Sequence, residues 1–164
     1  MKSIVLTCDK YRAMTEHMIL QYERLWPDHP FLFRIPYQDL PAKDSTLRQY
    51  VKTPASIKAT VLRLLEDLND DEWIYWCLDD KYPIKLVVRN IKTLLAELQQ
   101  TTEMSGLLFC RCRETMDNPE LALHPGTLVD ASGNIYLERK SWFQIWIHQF
   151  IKVLDFINFI KHNH

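Results

Sequence analysis

The clearest pattern in the chain is a short apolar run that ends in two adjacent carboxylates. Residues 73–78 are Trp-Ile-Tyr-Trp-Cys-Leu, and Asp79 and Asp80 follow at once. The run is short and begins after the acidic residues 70–72, so we predict a strand that is buried on both faces. The plain alternative for the acidic pair is a polar, solvated turn after that strand.

Similar patterns predict further elements along the chain. Short apolar runs predict strands, and apolar positions three or four residues apart predict helices. The predicted strands are residues 4–6, 31–35 and 106–112, and the predicted helices are residues 14–25, 53–68 and 83–98. Thr53 is the expected capping residue of the second helix, and Pro83 opens the third. Residues 38–52 are polar and mixed, which predicts a loop, with one helical turn as an alternative within it.

The order of these elements predicts an α/β fold. Strands and helices alternate, which is typical of a mostly parallel sheet with flanking helices. Residues 127–129 and 135–137 flank a polar segment that contains Gly133, which predicts an antiparallel hairpin added to that sheet. We place this α/β domain at residues 1–140.

Residues 141–164 form an unusually apolar C-terminal segment. Their spacing predicts one amphipathic helix with a wide aromatic and aliphatic face and a narrow polar stripe, on which we expect His148 to be solvated. Such a helix can pack on the sheet, pair with a second copy in a homo-oligomer, or lie at a membrane interface. The stripe carries one lysine, Lys152, and one aspartate, Asp155, so packing and dimerisation are favoured over peripheral membrane contact.

Composition excludes several classes of protein. The 164 residues include 20 basic and 21 acidic side chains, and this balance does not favour a nucleic-acid partner. Three glycines are too few for a glycine-rich phosphate loop of the Rossmann or P-loop type. Cys110 and Cys112 lack the spacing of zinc motifs. The first predicted strand follows Met1 and Lys2 directly, without a signal peptide, so we expect a cytoplasmic protein.

The acidic pair suggests a metal site. Asp79 and Asp80 follow a predicted parallel strand, at the edge where open α/β sheets bind ligands. Neighbouring carboxylates repel each other, so we expect a cation nearby, and a hard divalent cation such as Mg²⁺ can bridge carboxylates and substrate phosphates. Lys81 is the alternative cation, because its ammonium group could pair with one of the two carboxylates.

Residues 71–83, Asp-Glu-Trp-Ile-Tyr-Trp-Cys-Leu-Asp-Asp-Lys-Tyr-Pro, resemble the core of the GT-A-fold glycosyltransferases, in which a strand ends in a DxD-type acidic motif. The preceding order of strand, Thr7-Cys8-Asp9, helix, strand and helix also fits, so the resemblance covers about residues 1–112. This chain has an x-Asp-Asp form at residues 78–80 instead of a strict DxD.

The resemblance implies a nucleotide-diphosphate sugar bound across the carboxyl ends of the strands, with Mn²⁺ or Mg²⁺ held by the diphosphate and the acidic motif. The implied nucleotide-binding residues are Thr7, Cys8, Asp9, Lys58 and Asp79, and the implied metal ligands are Asp79 and Asp80. Arg48 and Lys52 could supply further positive charge to the leaving group. A late histidine, His124, matches one that can complete the metal shell in the family.

The catalytic base stays open. An inverting transferase needs a carboxylate near the acceptor hydroxyl. The candidates are Glu114, Asp117, Asp130 and Glu138.

Three functions follow as hypotheses. The first is a glycosyltransferase that moves a sugar from a nucleotide-diphosphate donor to an acceptor. The alternative is a non-catalytic α/β binding or dimerisation module derived from such a fold. The third is another metal-dependent phosphotransfer or hydrolase fold, in which Asp9 would supply the acid after the first strand.

Overall fold

The computed structural model describes residues 1–100, 106–108, 127–129, 135–137 and 145–163. The strands in these ranges are β1 (Lys2–Leu6), β2 (Leu32–Tyr37), β3 (Arg48–Lys52), β4 (Trp73–Leu78), β5 (Gly106–Leu108), β6 (Thr127–Val129), β7 (Ile135–Leu137) and β8 (Gln149–Lys152). The α-helices in the same ranges are α1 (Arg12–Leu25), α2 (Ile57–Leu65), α3 (Val88–Leu98) and α4 (Val153–Asn163). A single 3-10 turn, Asp9–Tyr11, precedes α1.

Six strands form one sheet in the order β3-β2-β1-β4-β8-β5. Strands β1 to β4 are parallel, and β8 runs antiparallel to both of its neighbours, β4 and β5. Strands β6 and β7 pair as a separate antiparallel hairpin. The predicted α/β fold, with a mostly parallel sheet, flanking helices and an antiparallel hairpin, is confirmed.

The strand order places a topological switch point between β1 and β4. Strands β2 and β3 lie on one side of β1, whereas β4 lies on the other. In open α/β sheets, connections that diverge in this way leave a crevice beyond the carboxyl ends of the two central strands.

The alternating side chains of β4 explain why the sheet is covered on both faces. Ile74 and Trp76 belong to one hydrophobic cluster, Tyr75 and Cys77 belong to the other, and all four are fully buried. Helices α2 and α4 cover the first face, and α1 and α3 cover the second. Each large side chain buried in this way contributes about 1.5–3 kcal/mol to folding.

Strand β3 lies where the sequence predicts a loop. It is at the edge of the sheet next to β2, and Arg48, Gln49, Tyr50 and Val51 are only half-buried. The loop prediction is wrong because an edge strand is partly solvated and therefore needs no run of apolar residues.

Helix α2 begins later than predicted. Ser56 is its N-cap, since Ser56 Oγ accepts a hydrogen bond from the backbone N–H of Ala59 at 3.3 Å. Thr53, the predicted cap, is buried before the helix, and its hydroxyl accepts from the Gln38 side-chain amide at 3.1 Å. The hydroxyl of Thr53 therefore joins two loops instead of capping α2.

Two other predicted boundaries also move. Helix α3 begins at Val88 instead of Pro83, and residues 79–87 are irregular. Strand β5 covers Gly106–Leu108 of the strand predicted over 106–112, and residues 109–112 lie outside the described ranges.

The prediction of one helix over residues 141–164 is wrong. Gln149–Lys152 forms β8 within the sheet, and α4 covers only Val153–Asn163. The segment is apolar on almost every side because it passes through the core as a strand and then covers the core as a helix. Val153, Phe156 and Ile160 of α4 are fully buried in the cluster shared with α2 and the sheet, which is one of the three placements expected.

No helix in the described part of the chain is long and apolar enough to cross a membrane.

Candidate functional site

The candidate site lies where β1 and β4 end side by side. Leu6 pairs with Leu78 at the last position of the two strands, so Thr7 and Asp79 follow at the same edge of the sheet. Thr7 Oγ1 donates a hydrogen bond to Asp79 Oδ2 at 2.6 Å. Two of the predicted site residues therefore meet at the switch point of the sheet.

A buried hydroxyl holds Thr7 in this orientation. Thr15, on α1, is fully buried, and its Oγ1 donates to Thr7 Oγ1 at 2.8 Å. Thr7 can then use its own proton for Asp79. Thr15 is not among the residues that the sequence singles out, although it lies on the buried face of α1, three and four residues before Met18 and Ile19.

The two carboxylates of the acidic pair lie in different environments. Asp79 is half-buried, whereas Asp80 is exposed. Burial raises the pKa of Asp79; the hydrogen bond from Thr7 opposes that rise, and the charge of Asp80 adds to it. A cation bound beside both carboxylates would relieve this repulsion.

The acidic pair fits a hard divalent cation that also takes ligands from a substrate. Within the described ranges, no group of three or more His, Cys, Asp or Glu side chains is placed to hold a metal ion. Asp79 and Asp80 offer carboxylate oxygens, and Mg²⁺ commonly takes one or two such ligands and completes its shell with water and phosphate oxygens.

Asp9 joins the loop after β1 to the loop after β2. Its Oδ2 accepts from the backbone N–H groups of Gln38, Asp39 and Leu40 at 3.2, 2.7 and 3.0 Å, and its Oδ1 accepts from Arg12 at 3.0 Å. Burial would raise the pKa of Asp9, but these backbone donors and the Arg12 charge lower it. The carboxylate is thus already satisfied within the protein, and its contact with a ribose stays a prediction.

The predicted cations Lys58 and Arg48 have partners within the fold. Lys58 Nζ donates to the carbonyl of Lys161, near the end of α4, at 2.8 Å. The Arg48 guanidinium forms ion pairs with Glu16 and Glu23 at 2.7 and 2.8 Å. Neither contact includes Asp79, so the structure does not bring these cations to the acidic pair.

Cys8 lies between Thr7 and Asp9, at the carboxyl edge of the sheet. It is half-buried, its thiol is free, and it precedes the 3-10 turn that leads into α1. Its predicted place beside the base or ribose stays a prediction.

His148 lies beneath the acidic pair, and its predicted solvation is wrong. It is 5% exposed, because it directly precedes β8, which lies between β4 and β5 in the sheet, instead of lying on a helix. The Leu78 backbone N–H donates to His148 Nε2 at 2.9 Å, and Nδ1 lies 2.8 Å from the Tyr22 hydroxyl. Nε2 also lies 3.2 Å from the Leu78 carbonyl oxygen, so the ring tautomer decides whether Nε2 accepts from the N–H or donates to the carbonyl, and whether Nδ1 donates to the Tyr22 hydroxyl or accepts from it.

This histidine ties three elements together at the base of the site. The Tyr22 hydroxyl lies 2.8 Å from the Tyr75 hydroxyl, so the hydrogen bonds run from β4 through His148 to α1 and back to β4. Burial lowers the pKa of His148 to about 4, although the carbonyl of Leu78 opposes that shift, so the imidazole is neutral near pH 7. The network fixes the residue that precedes Asp79.

Several predicted residues lie outside the described ranges. They are the candidate bases Glu114, Asp117, Asp130 and Glu138, and His124.

Comparison with known proteins identifies the fold. The sequence matches no protein-family model and no curated protein. Two solved structures of the galactosyltransferase LgtC, one of them in complex with donor and acceptor sugar analogues, align with TM-scores of 0.50 and 0.51 at 13% sequence identity. The cytidylyltransferase IspD of Francisella tularensis, which is named for 2-C-methyl-D-erythritol 4-phosphate, aligns with a TM-score of 0.52 at 12% identity.

The fold is that of the nucleotide-diphospho-sugar transferases. The alignments cover 96% of this chain with LgtC and 98% with IspD. They cover 59% and 60% of the two LgtC chains and 76% of IspD, so this chain spans about three fifths of the galactosyltransferase. At this level of identity the likeness establishes the fold and leaves the reaction to be argued from the site.

Proposed function

We propose that this protein is a glycosyltransferase that uses a nucleotide-diphosphate sugar as donor, with Mn²⁺ or Mg²⁺ at Asp79 and Asp80. The observation that carries the proposal is the contact between Thr7 and Asp79 at the switch point, directly before Asp80. In this fold class the switch point is the expected place for a nucleotide. A cytoplasmic location and a homo-oligomer remain expectations from the sequence.

Each residue of the site has a defined task in this proposal. Asp79 and Asp80 would hold the cation, which would supply positive charge to the leaving nucleoside diphosphate. Thr7 orients Asp79 by its hydrogen bond, and Thr15 orients Thr7. His148 holds the end of β4 in place through the backbone of Leu78. A site held by packed strands and buried hydrogen bonds is preorganised before the donor binds.

Exposed aromatic rings near the same edge can bind the sugar. Tyr82 is 43% exposed two residues after Asp80, and Trp146 is 53% exposed two residues before His148. Aromatic faces provide a large apolar contact together with a polar group on the same side chain. In this proposal they would stack on the apolar face of a donor or acceptor sugar.

The test is a titration of the protein with UDP and with GDP, each with and without Mn²⁺, in which binding is measured by isothermal titration calorimetry. The native chain should bind one of the two nucleotides more tightly with Mn²⁺, and Asp79→Asn and Asp80→Asn should each remove that dependence. Because even the loss of a residue that only supports a metal ligand costs about tenfold or more, the loss of a ligand should weaken the complex by at least about tenfold.

The matched control is Asp71→Asn. Asp71 is exposed and precedes β4, so it lies at the opposite end of the strand that carries the acidic pair. This variant should bind as the native chain does. Equal affinity with and without Mn²⁺ in the native chain would contradict the metal site, and no binding of any nucleotide would favour the non-catalytic module.

A nucleotidyltransferase is the second candidate function, because IspD shares the fold over 76% of its chain. The products distinguish the two reactions. A glycosyltransferase releases a nucleoside diphosphate from a sugar nucleotide, whereas a nucleotidyltransferase releases diphosphate from a nucleoside triphosphate. Chromatography of the nucleotides after incubation with each donor class therefore decides between them.

A further inference from the structure

Residues 81–89 form a basic segment with exposed apolar side chains, directly after the acidic pair. Lys81, Lys85 and Arg89 are all exposed. Residues 81–96 contain no Asp or Glu, so the charge of the segment is positive throughout. We call residues 81–89 the basic apolar segment.

The apolar side chains of this segment are unusually exposed. Ile84 is 91% exposed and Val87 is 51% exposed. Single exposed apolar residues are common on protein surfaces, but these two lie three residues apart and on either side of Lys85. An exposed aliphatic side chain makes no hydrogen bonds to water, so its burial by a partner is favourable.

The exposure of Ile84 does not come from a loosely attached loop. Leu86 and Val88 pack against the core cluster on the α1 and α3 face, and the Tyr82 ring packs edge-on against His17 of α1 with the ring centroids 4.9 Å apart. Tyr82 lies two residues before Ile84, and Leu86 and Val88 lie on either side of Val87. Because these three side chains hold the backbone against the core, Ile84 and Val87 face solvent.

The charges of the segment are available to a partner. No ion pair joins Lys81, Lys85 or Arg89 to a carboxylate within the described residues. The next basic residue, Lys92, differs, because it pairs with Asp28 at 2.9 Å. Lys81, Lys85 and Arg89 are therefore interspersed along the segment with the exposed apolar side chains of Ile84 and Val87.

We propose that the basic apolar segment docks this protein on an anionic lipid surface. Lys and Arg side chains bind anionic headgroups, and apolar side chains between them enter the boundary between headgroups and acyl chains. A nucleic acid would satisfy the cations but offers no apolar layer for an aliphatic side chain such as Ile84, whereas a lipid surface supplies both. The proposal does not depend on the reaction. It does predict that the edge bearing Asp79 and Asp80 lies next to the lipid.

The experiment is co-sedimentation of the full chain with vesicles of phosphatidylcholine alone, or with about 30% phosphatidylglycerol added. The native chain should bind the anionic vesicles at least about tenfold more tightly than the neutral ones. Ile84→Ser/Val87→Ser, which removes apolar surface without adding charge, should weaken binding to anionic vesicles by about tenfold or more, and Lys85→Glu/Arg89→Glu should do the same.

Two matched controls lie elsewhere on the surface. Leu154 is 44% exposed on α4, which covers the opposite face of the sheet, and Lys43 is exposed in the loop before β3. Leu154→Ser and Lys43→Glu should bind vesicles as the native chain does. Equal losses in these controls would overturn the proposal, because binding would then follow overall charge or hydrophobicity.

Three other outcomes would also overturn it. The first is no binding of the native chain to anionic vesicles. The second is a loss with Lys85→Glu/Arg89→Glu but none with Ile84→Ser/Val87→Ser, which would indicate a general polyanion site. The third is a fall in the thermal midpoint of Ile84→Ser/Val87→Ser as large as that of a core substitution, which would show that the protein itself covers these side chains.

Discussion

Acid should destabilise this fold through His148. The histidine is neutral in the folded state because burial lowers its pKa from 6.5 to about 4. Above pH 6.5 it is neutral in both states and has no effect on the pH dependence. Between pH 6.5 and 4 only the unfolded state gains the proton, so stability is lost as the pH falls through this window. The full effect corresponds to about 3 kcal/mol.

A substitution isolates this contribution. In His148→Gln, the side-chain carbonyl can still accept from the Leu78 N–H, but it cannot take up a proton. We expect the variant to lose about 1–2 kcal/mol at pH 7, because the contact with Tyr22 is less well formed. Between pH 7 and 4.5, however, its free energy of unfolding should fall by about 2–3 kcal/mol less than that of the native chain.

The assay is urea unfolding at several pH values from 7 to 4.5, with the free energy extrapolated to water. His29 also has a pKa lowered by burial, but it is present in both proteins, so its effect cancels in the comparison. The matched control is His162→Gln, which replaces an exposed histidine near the end of α4 and should follow the native curve. Parallel curves for the native chain and His148→Gln would refute the reasoning.

Three further predictions concern the acidic pair, the loop contact and the core. Asp79→Asn should raise the free energy of unfolding at pH 7 by about 0.5–1 kcal/mol, since burial and Asp80 disfavour the charged form; urea titration at pH 7 and 3 should show the gain only at the higher pH. Asp9→Ala should cost about 2 kcal/mol and speed hydrogen exchange at the amides of residues 39 and 40, and unchanged exchange would contradict the contact. Phe156→Ala should cost about 3–5 kcal/mol in thermal or urea unfolding, and a cost below 1 kcal/mol would show that α4 is not packed on the sheet.

The central strands and their ends could be predicted from sequence because their signal is local. Residues 73–78 are apolar without interruption, and the strand they form is buried on both faces. The acidic pair follows it at a fixed distance along the chain, so its place at the carboxyl edge follows from the strand alone. The contact with Thr7 also follows, once β1 and β4 are known to be parallel neighbours.

The C-terminal strand could not be predicted because its partners are distant in sequence. Ile151 pairs with Ile74 on one side and with Gly106 on the other. Nothing in residues 149–152 marks a boundary with the helix that follows, and the apolar residues of both elements merge into one apparent helical pattern. One local signal was present, since a segment that is apolar all round indicates burial on every side.

The position of His148 depends entirely on that pairing. A polar residue in an apolar segment can lie on the solvated stripe of a helix or form hydrogen bonds in the core. For His148 only the distant partners Leu78 and Tyr22 decide between these positions.

The edge strand β3 was missed because its sequence lacks an apolar pattern. Its charged and polar side chains make contacts outside the sheet, such as the hydrogen bond from the Tyr50 hydroxyl to Glu16 at 2.5 Å, so its residues read as a polar loop.

Mn²⁺ itself can locate the proposed site. Bound Mn²⁺ is paramagnetic and broadens the NMR signals of nearby nuclei, so amide spectra recorded with a nucleoside diphosphate and substoichiometric Mn²⁺ report where the metal lies. The account predicts selective loss of the amide signals of Thr7, Asp79 and Asp80, with those of Asp71 and Val153 at the opposite edge retained. Broadening centred on any other part of the sheet, or none above that of free Mn²⁺, would contradict a nucleotide-diphosphate site at the ends of β1 and β4.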